Sequence, residues 1–121
     1  MVGYFWDSYA AIELIGGNKS YAKYIHELVR TSIFNLAEIY WFALNEYEEE
    51  KAEEIYERFK KGVVEINDVV LKDAVKFRKR HKNKNLSYAD CIGYVYALKN
   101  NLIFLTGDKE FANFSNVEFV K

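Results

Sequence analysis

The sequence predicts an α/β domain with a mostly parallel sheet. Short apolar or β-branched runs recur at 2–6, 63–66, 102–105 and 117–120, and helical stretches separate most of them. The chain has 121 residues, half of them hydrophobic and 17% aromatic, which suits one domain with a packed core and excludes a disordered chain.

The run 2–6 is continuous and aromatic-rich, as expected of a strand buried on both faces. A helix follows from Ser8 to Ile15, and Gly16-Gly17 breaks it. Tyr21, Tyr24, Ile25, Leu28 and Val29 fall at i, i+3, i+4, i+7 and i+8, which predicts a one-faced amphipathic helix. Residues 30–33 suit a brief strand, with Thr31 or Ser32 able to cap the next helix.

That next helix, 33–44, is apolar on every side, the pattern of a buried helix; Asn35 and Glu38 are its strongly polar members and share a face. A Glu-rich helix over 46–61 presents Ala52, Ile55, Tyr56 and Phe59 inward. The strand 63–66 leads through Asn67 or Asp68 to a helix with the stripe Val70, Ala74 and Phe77. Lys76, Arg78, Lys79, Arg80, Lys82 and Lys84 form a basic stretch. Ser87 opens a helix to about Lys99, whose Ala89, Gly93 and Ala97 permit close backbone approach. The buried strand 102–105 turns out through Thr106-Gly107-Asp108, and 117–120 reads as an edge strand.

Composition narrows the function. Seventeen basic and eighteen acidic residues give a net charge of −1, so no globally basic nucleic-acid binder is indicated, while a local basic patch stays open. The lone Cys91 excludes an intrachain disulfide framework and a Cys-rich zinc site. His26 and His81 lack HxxxH or HExxH spacing and are read as surface residues, and no P-loop or GxGxxG motif occurs. No signal-like segment and no apolar run near the ~18 residues of a membrane span is present, so a soluble, cytoplasmic protein is expected.

Carboxylates supply the candidate chemistry. In open parallel sheets, sites form beyond the carboxyl ends of the strands. Asp7 directly follows the first strand, and Asp108 follows the strand 102–105 after a short turn. Each has a plain structural reading as well: Asp7 and Asp108 can cap the helices after them, and Ser87-Tyr88-Ala89-Asp90 resembles a capping box. Glu38 has no such role. Inside an all-apolar helix it is expected to be at least partly buried, at a cost of several kcal/mol unless it is paired or binds a cation. A distant basic partner or a solvent-reaching helix end would also serve. Converging carboxylates suit Mg²⁺ or Mn²⁺, hard cations that prefer oxygen ligands, and such ions support phosphodiester cleavage.

Asp7 in F-W-D-S, Glu38 in N-L-A-E-I-Y-W, Asp90 in L-S-Y-A-D-C-I and Asp108 in F-L-T-G-D-K-E-F resemble the four acidic motifs of PIN domains, in order and spacing, over essentially the whole chain. The small size is similar to that of single-domain ribonuclease toxins of VapC type. The resemblance implies a three-layer α/β/α sandwich with a parallel sheet of about five strands, and metal-dependent endoribonuclease activity. It implies that Asp7, Glu38, Asp90 and Asp108 are metal ligands or orienters of water, with Mg²⁺ or Mn²⁺ as cofactor. Ser8 matches the small hydroxyl residue after the first Asp, and Thr106 the hydroxyl residue that supports the last. Tyr9 departs from the small residue often found there, and can narrow the site or stack on a base. RNA would be the substrate and a cognate antitoxin the partner. A housekeeping RNA-processing nuclease and a non-catalytic RNA-binding or scaffold module are the alternatives. Arg78, Lys79, Arg80 and Lys82 are candidate phosphate contacts, set against a plain solvated helix face. A homodimer is expected from the apolar helix 33–44 and the Ala89/Gly93/Ala97 stripe, which offer more apolar surface than one small core buries.

Overall fold

The computed structural model describes residues 3–121. Val2, assigned above to the first strand, lies outside them. Three parallel strands form the sheet: β1 (Gly3–Trp6), β2 (Leu102–Thr106) and β3 (Val117–Phe119), in the order β1-β2-β3. The helices are α1 (Ser8–Ile15), α2 (Ile33–Glu46), α3 (Glu49–Lys60), α4 (Asp68–Arg80) and α5 (Tyr88–Lys99), with 3₁₀ turns at Lys19–Tyr24 and Lys109–Phe111. No helix among the described residues is long and apolar enough to cross a membrane.

Residue alternation along β1 and β2 builds the layers. Phe5 lies beside Phe104 and faces α4 and α5, where it joins Val70, Ala74, Phe77 and Ile92. One residue on, Trp6 lies beside Leu105 and faces the other way, onto Ala10 of α1 and Tyr21 and Tyr24 of the 3₁₀ turn. All four strand side chains are fully buried, each contributing roughly 1.5–3 kcal/mol. The expectation of a strand buried on both faces holds for β1. Behind α1 a third cluster forms, where Leu36, Ile39 and Ala43 of α2 meet Ala52, Ile55 and Phe59 of α3. The result is a three-layer α/β/α sandwich.

The small-residue stripe of α5 serves this core. A Cβ on Gly93 would stand 2.5 Å from the Phe5 ring and 3.1 Å from the Phe104 ring, so only glycine lets the helix sit so close to the sheet. Ala97 is fully buried as well. The stripe is therefore used inside the chain and offers no surface to a second copy.

Three further expectations are corrected. The sheet has three regular strands, not five. The segments around residues 31 and 63 run parallel but pair at a single bridge, Thr31 with Val63. Trp6 N–H donates to the Arg30 carbonyl at 2.8 Å, so these segments extend the sheet on the far side of β1 by isolated bonds. The amphipathic helix over 21–29 is a 3₁₀ turn that ends at Tyr24. Tyr21 and Tyr24 are buried, whereas Ile25 and Leu28 are more than half exposed. Asn18 caps this turn by accepting from Ser20 N–H, and the geometry has closed before a 3.6-residue period is established. Finally, α2 is not buried all round: Ile33, Phe34, Trp41 and Leu44 face outward. Glu38 is consequently exposed, so the burial penalty expected for its carboxylate does not arise.

Candidate functional site

In spatial order the extended segments run 63, 31, β1, β2, β3. Chain order therefore reverses between β1 and β2, and a crevice opens at such a switch point beyond the carboxyl ends of the strands. A cleft of about 680 Å³ lies there. Asp7, Glu38, Asp90 and Asp108 all line it.

Three of these carboxylates are held by the starts of helices. Asp7 caps α1, with Oδ1 accepting from Ser8 N–H at 2.9 Å. Asp90 closes a capping box at α5: it accepts from Ser87 N–H at 2.8 Å while Ser87 Oγ accepts from Asp90 N–H at 3.0 Å. Asp108 caps the short turn after β2, accepting from Glu110 N–H at 3.0 Å. The plain structural readings are thus geometrically true, and they bring the three side chains into one cleft.

Two hydroxyl residues tie the set together. Thr106 Oγ1 donates to Asp7 Oδ2 at 2.7 Å and accepts from Asp108 N–H at 3.1 Å, linking the ends of β1 and β2. Ser8 Oγ donates to Glu38 Oε1 at 2.5 Å and accepts from Asn35 Nδ2 at 2.9 Å. Asn35 is fully buried, and its Oδ1 accepts from Ser32 Oγ at 2.6 Å. This chain of polar contacts fastens α2 to the start of α1 and sets the position of Glu38. The close approach of 106–108 depends on Gly107, because a Cβ there would stand 2.2 Å from the Val120 carbonyl oxygen and 2.3 Å from the Tyr9 ring.

The electrostatics are those of crowded acids. Burial pushes the Asp7 carboxyl far above the usual carboxylate range, and the charge of Asp90 pushes it further. Asp90 is raised by its own burial, then by Asp108 and Glu38, against the lowering effect of its bonds to Ser87. Of the residues lining the cleft, only Arg78 is positively charged. Among the described residues, no three Asp, Glu, His or Cys side chains stand close enough to form a ready metal-binding group. The donor set itself fits a hard divalent cation: it is all oxygen, and the Asp7 oxygens each accept one hydrogen bond, leaving a lone pair on each. A cation among them would offset the burial and the repulsion that together raise Asp7 and Asp90.

The remaining walls are aromatic and apolar. Tyr9, Trp41 and Phe42 line the cleft, and Trp41 is 69% exposed. The sequence pattern places Trp41 and Phe42 in a buried helix. Their spacing of three and four residues from Glu38 is the available signal for the site, since it sets them beside that carboxylate. Asn35 is legible in the sequence only as sharing a face with Glu38, not as the residue that anchors it. The basic residues do not all share one place: Lys79 and Lys82 adjoin Arg78, and Arg80 stands apart. Arg78 lines the cleft, whereas Arg80 lines a separate depression with Asp73 and Lys99. His26 is exposed, as expected, but His81 is half-buried and packs against Phe77, the ring centroids 4.5 Å apart and the planes tilted by 42°.

The family model of the PIN domain matches residues 4–117. The chain belongs to the PIN domain family. No curated protein matches this PIN domain. Solved structures share its fold at low identity. A toxin–antitoxin complex from Klebsiella pneumoniae superposes with a TM-score of 0.78 at 17% identity, covering 96% of both chains. Mycobacterium tuberculosis VapC20, a sarcin-ricin loop cleaving toxin, superposes at 0.72 with 18% identity, over 96% of this chain and 99% of that one. Rickettsia felis VapBC2, bound to a DNA fragment from its promoter, superposes at 0.73 with 14% identity over the full length of both chains.

Proposed function

We propose that this PIN domain is a metal-dependent endoribonuclease and the toxin of a type II toxin–antitoxin pair. The observation that carries the reading is that Asp7, Glu38, Asp90 and Asp108 all line one cleft at the switch point of the sheet. The structural likeness to toxins and toxin–antitoxin complexes supports the biological role.

Asp7, Glu38, Asp90 and Asp108 would hold Mg²⁺ or Mn²⁺. Such an ion, when bound, supplies charge neutralisation at a phosphate and a more acidic water. The chain's own residues do the positioning. Thr106 fixes Asp7 relative to Asp108, and Ser8, braced by Asn35, fixes Glu38 relative to Asp7. Arg78 gives the phosphate backbone a cation at the edge of an otherwise acidic cleft. Tyr9, Trp41 and Phe42 offer faces on which unpaired bases stack. An antitoxin or a second copy of the chain would find apolar surface on the outward face of α2, at Ile33, Phe34 and Leu44.

Purified protein should cleave RNA with Mg²⁺ or Mn²⁺ and stop when a chelator is added. Robust chelator-resistant cleavage by Asp108→Asn would sink this reading. The aromatic wall makes a separate prediction. Trp41→Ala should raise KM for single-stranded RNA about tenfold, from the ~1–3 kcal/mol that stacking on an aromatic side chain contributes, with kcat little changed. Steady-state cleavage of a fluorogenic RNA checks it, and an unchanged KM would remove Trp41 from the substrate path.

A further inference from the structure

Beside the acidic cleft, between the last turn of α4 and the loop into α5, lies a second depression of about 320 Å³. Arg78, Lys79, Lys82, Lys84, Leu86 and Tyr88 line it. No carboxylate lines it. None of its four cations is in an ion pair, since the salt bridge found among the described residues joins Lys99 to Asp73. Four like charges gathered around one small depression repel one another, and an anion relieves that repulsion. Elsewhere on α4 the opposite holds. Arg80 shares its depression with Asp73, which already carries a basic partner.

Arg78 and Leu86 belong to both depressions. The Arg78 side chain is fixed on two sides: Nε donates to the Leu86 carbonyl at 3.0 Å, and the guanidinium carbon lies 4.3 Å from the centroid of the Tyr88 ring. Its position at the border is therefore set before any ligand arrives. The basic pocket opens onto the acidic cleft across this one side chain.

We propose that this pocket is a phosphate subsite for the RNA backbone, flanking the cleavage position on one side and joined to it by Arg78. The inference rests on the ribonuclease reading and adds a direction to it. The acidic cleft repels a polyanion, so affinity must come from phosphates outside it, and the pocket supplies that affinity asymmetrically. Substrates must extend past the cleavage position toward α4, and they gain little by extending the other way. Lys84 and Tyr88 belong to the subsite, and Arg80 does not.

The test uses the full chain with a fluorescein-labelled 12-nucleotide single-stranded RNA in chelator, where binding is read by anisotropy without cleavage. Lys79→Ala/Lys82→Ala should weaken binding about tenfold. It should also flatten the dependence of log Kd on log salt by about 1.4, at roughly 0.7 for each phosphate that is no longer neutralised. Lys51→Ala/Lys72→Ala removes the same charge from exposed positions outside the pocket and should bind as the parent does. In the cleavage assay the pocket variant should raise KM and leave kcat unchanged. That effect should vanish when the RNA is trimmed on one side of the cut but persist when it is trimmed on the other. Equal losses in the two double variants, an unchanged salt slope, or an effect insensitive to which side is trimmed would overturn the subsite. So would intact RNA affinity with loss of binding only to an acidic protein. Cleavage by a pocket variant that behaves as the parent defeats the subsite and leaves the nuclease. RNA binding with the predicted signature but without cleavage at any metal concentration does the reverse.

Discussion

Asp7→Asn is expected to lower kcat/KM for RNA at least about a thousandfold, on the order of 4 kcal/mol, and at the same time to stabilise the metal-free domain above neutral pH. Both effects come from the same burial. Asp7 is only 2% exposed, and it takes an O–H bond from Thr106 and an N–H bond from Ser8. An asparagine keeps the size and the acceptor oxygen, and the Thr106 hydroxyl can turn to accept from its amide. What disappears is the negative charge. The sign of the stability effect follows from the raised pKa of Asp7. The folded state holds the proton at pH values where the unfolded chain has released it. Stability from this group is therefore fully present below about pH 4 and is lost as pH rises through about 8, where the folded carboxyl ionises. Denaturant melts of the metal-free parent should show falling stability across that range, and Asp7→Asn should remove much of the slope, gaining about 1–3 kcal/mol at pH 8. Added Mn²⁺ should stabilise the parent and not the variant. A variant less stable than the parent at pH 8 would mean that the carboxylate is matched by its neighbours and not strained by them.

Asn35→Ala should cost about 1–3 kcal/mol of stability and about 10–100-fold in cleavage, although Asn35 does not line the cleft. The amide is fully buried and joins Ser32 to Ser8, and Ser8 in turn donates to Glu38. Removing it takes the acceptor from the Ser32 hydroxyl and the donor from the Ser8 hydroxyl, and frees Glu38 to move with α2. The stability term is read by chemical denaturation and the positioning term by kcat. Asn35→Asp separates them: it retains the acceptor for Ser32 but replaces the donor to Ser8 by a like charge near Glu38. If Asn35→Ala lowers stability and leaves kcat untouched, the network is structural only.

Where period and burial agree, the fold is legible in the sequence. The stripe Val70, Ala74 and Phe77 of α4 is the buried face observed, and the Ala52, Ile55 and Phe59 positions of α3 are likewise inward. Asp7, Asp90 and Asp108 are placed by local rules, because a strand end and a cap are both local features. Apolar count misleads where tertiary position decides. Along α2 the apolar residues read as core, but only one side of the helix packs on α1 and α3, leaving Trp41 beside the cleft. The 21–29 segment carries a helical period that its 3₁₀ geometry does not use. The two missing strands fail for a different reason: each pairs at one residue only, which no pattern of side chains encodes. Net charge is the least informative quantity of all, since a basic pocket and an acidic cleft adjoin at Arg78 and cancel in the sum.

The capping role of the three aspartates has a genetic consequence. Every Asp codon becomes an Asn codon by a single transition at its first base. Asparagine is as good a helix cap as aspartate at positions 7 and 108, and at 90 it keeps an acceptor for Ser87 N–H, so at all three positions that transition removes a charge and keeps the start of a helix. Changes to alanine, glycine or valine, equally close in codon space, lose the side-chain acceptor as well. If the domain is toxic to its host, spontaneous escape alleles that still accumulate as folded protein should be enriched in Asp→Asn at these positions. Such an inert chain would keep the surface that an antitoxin recognises and compete for it with the active form.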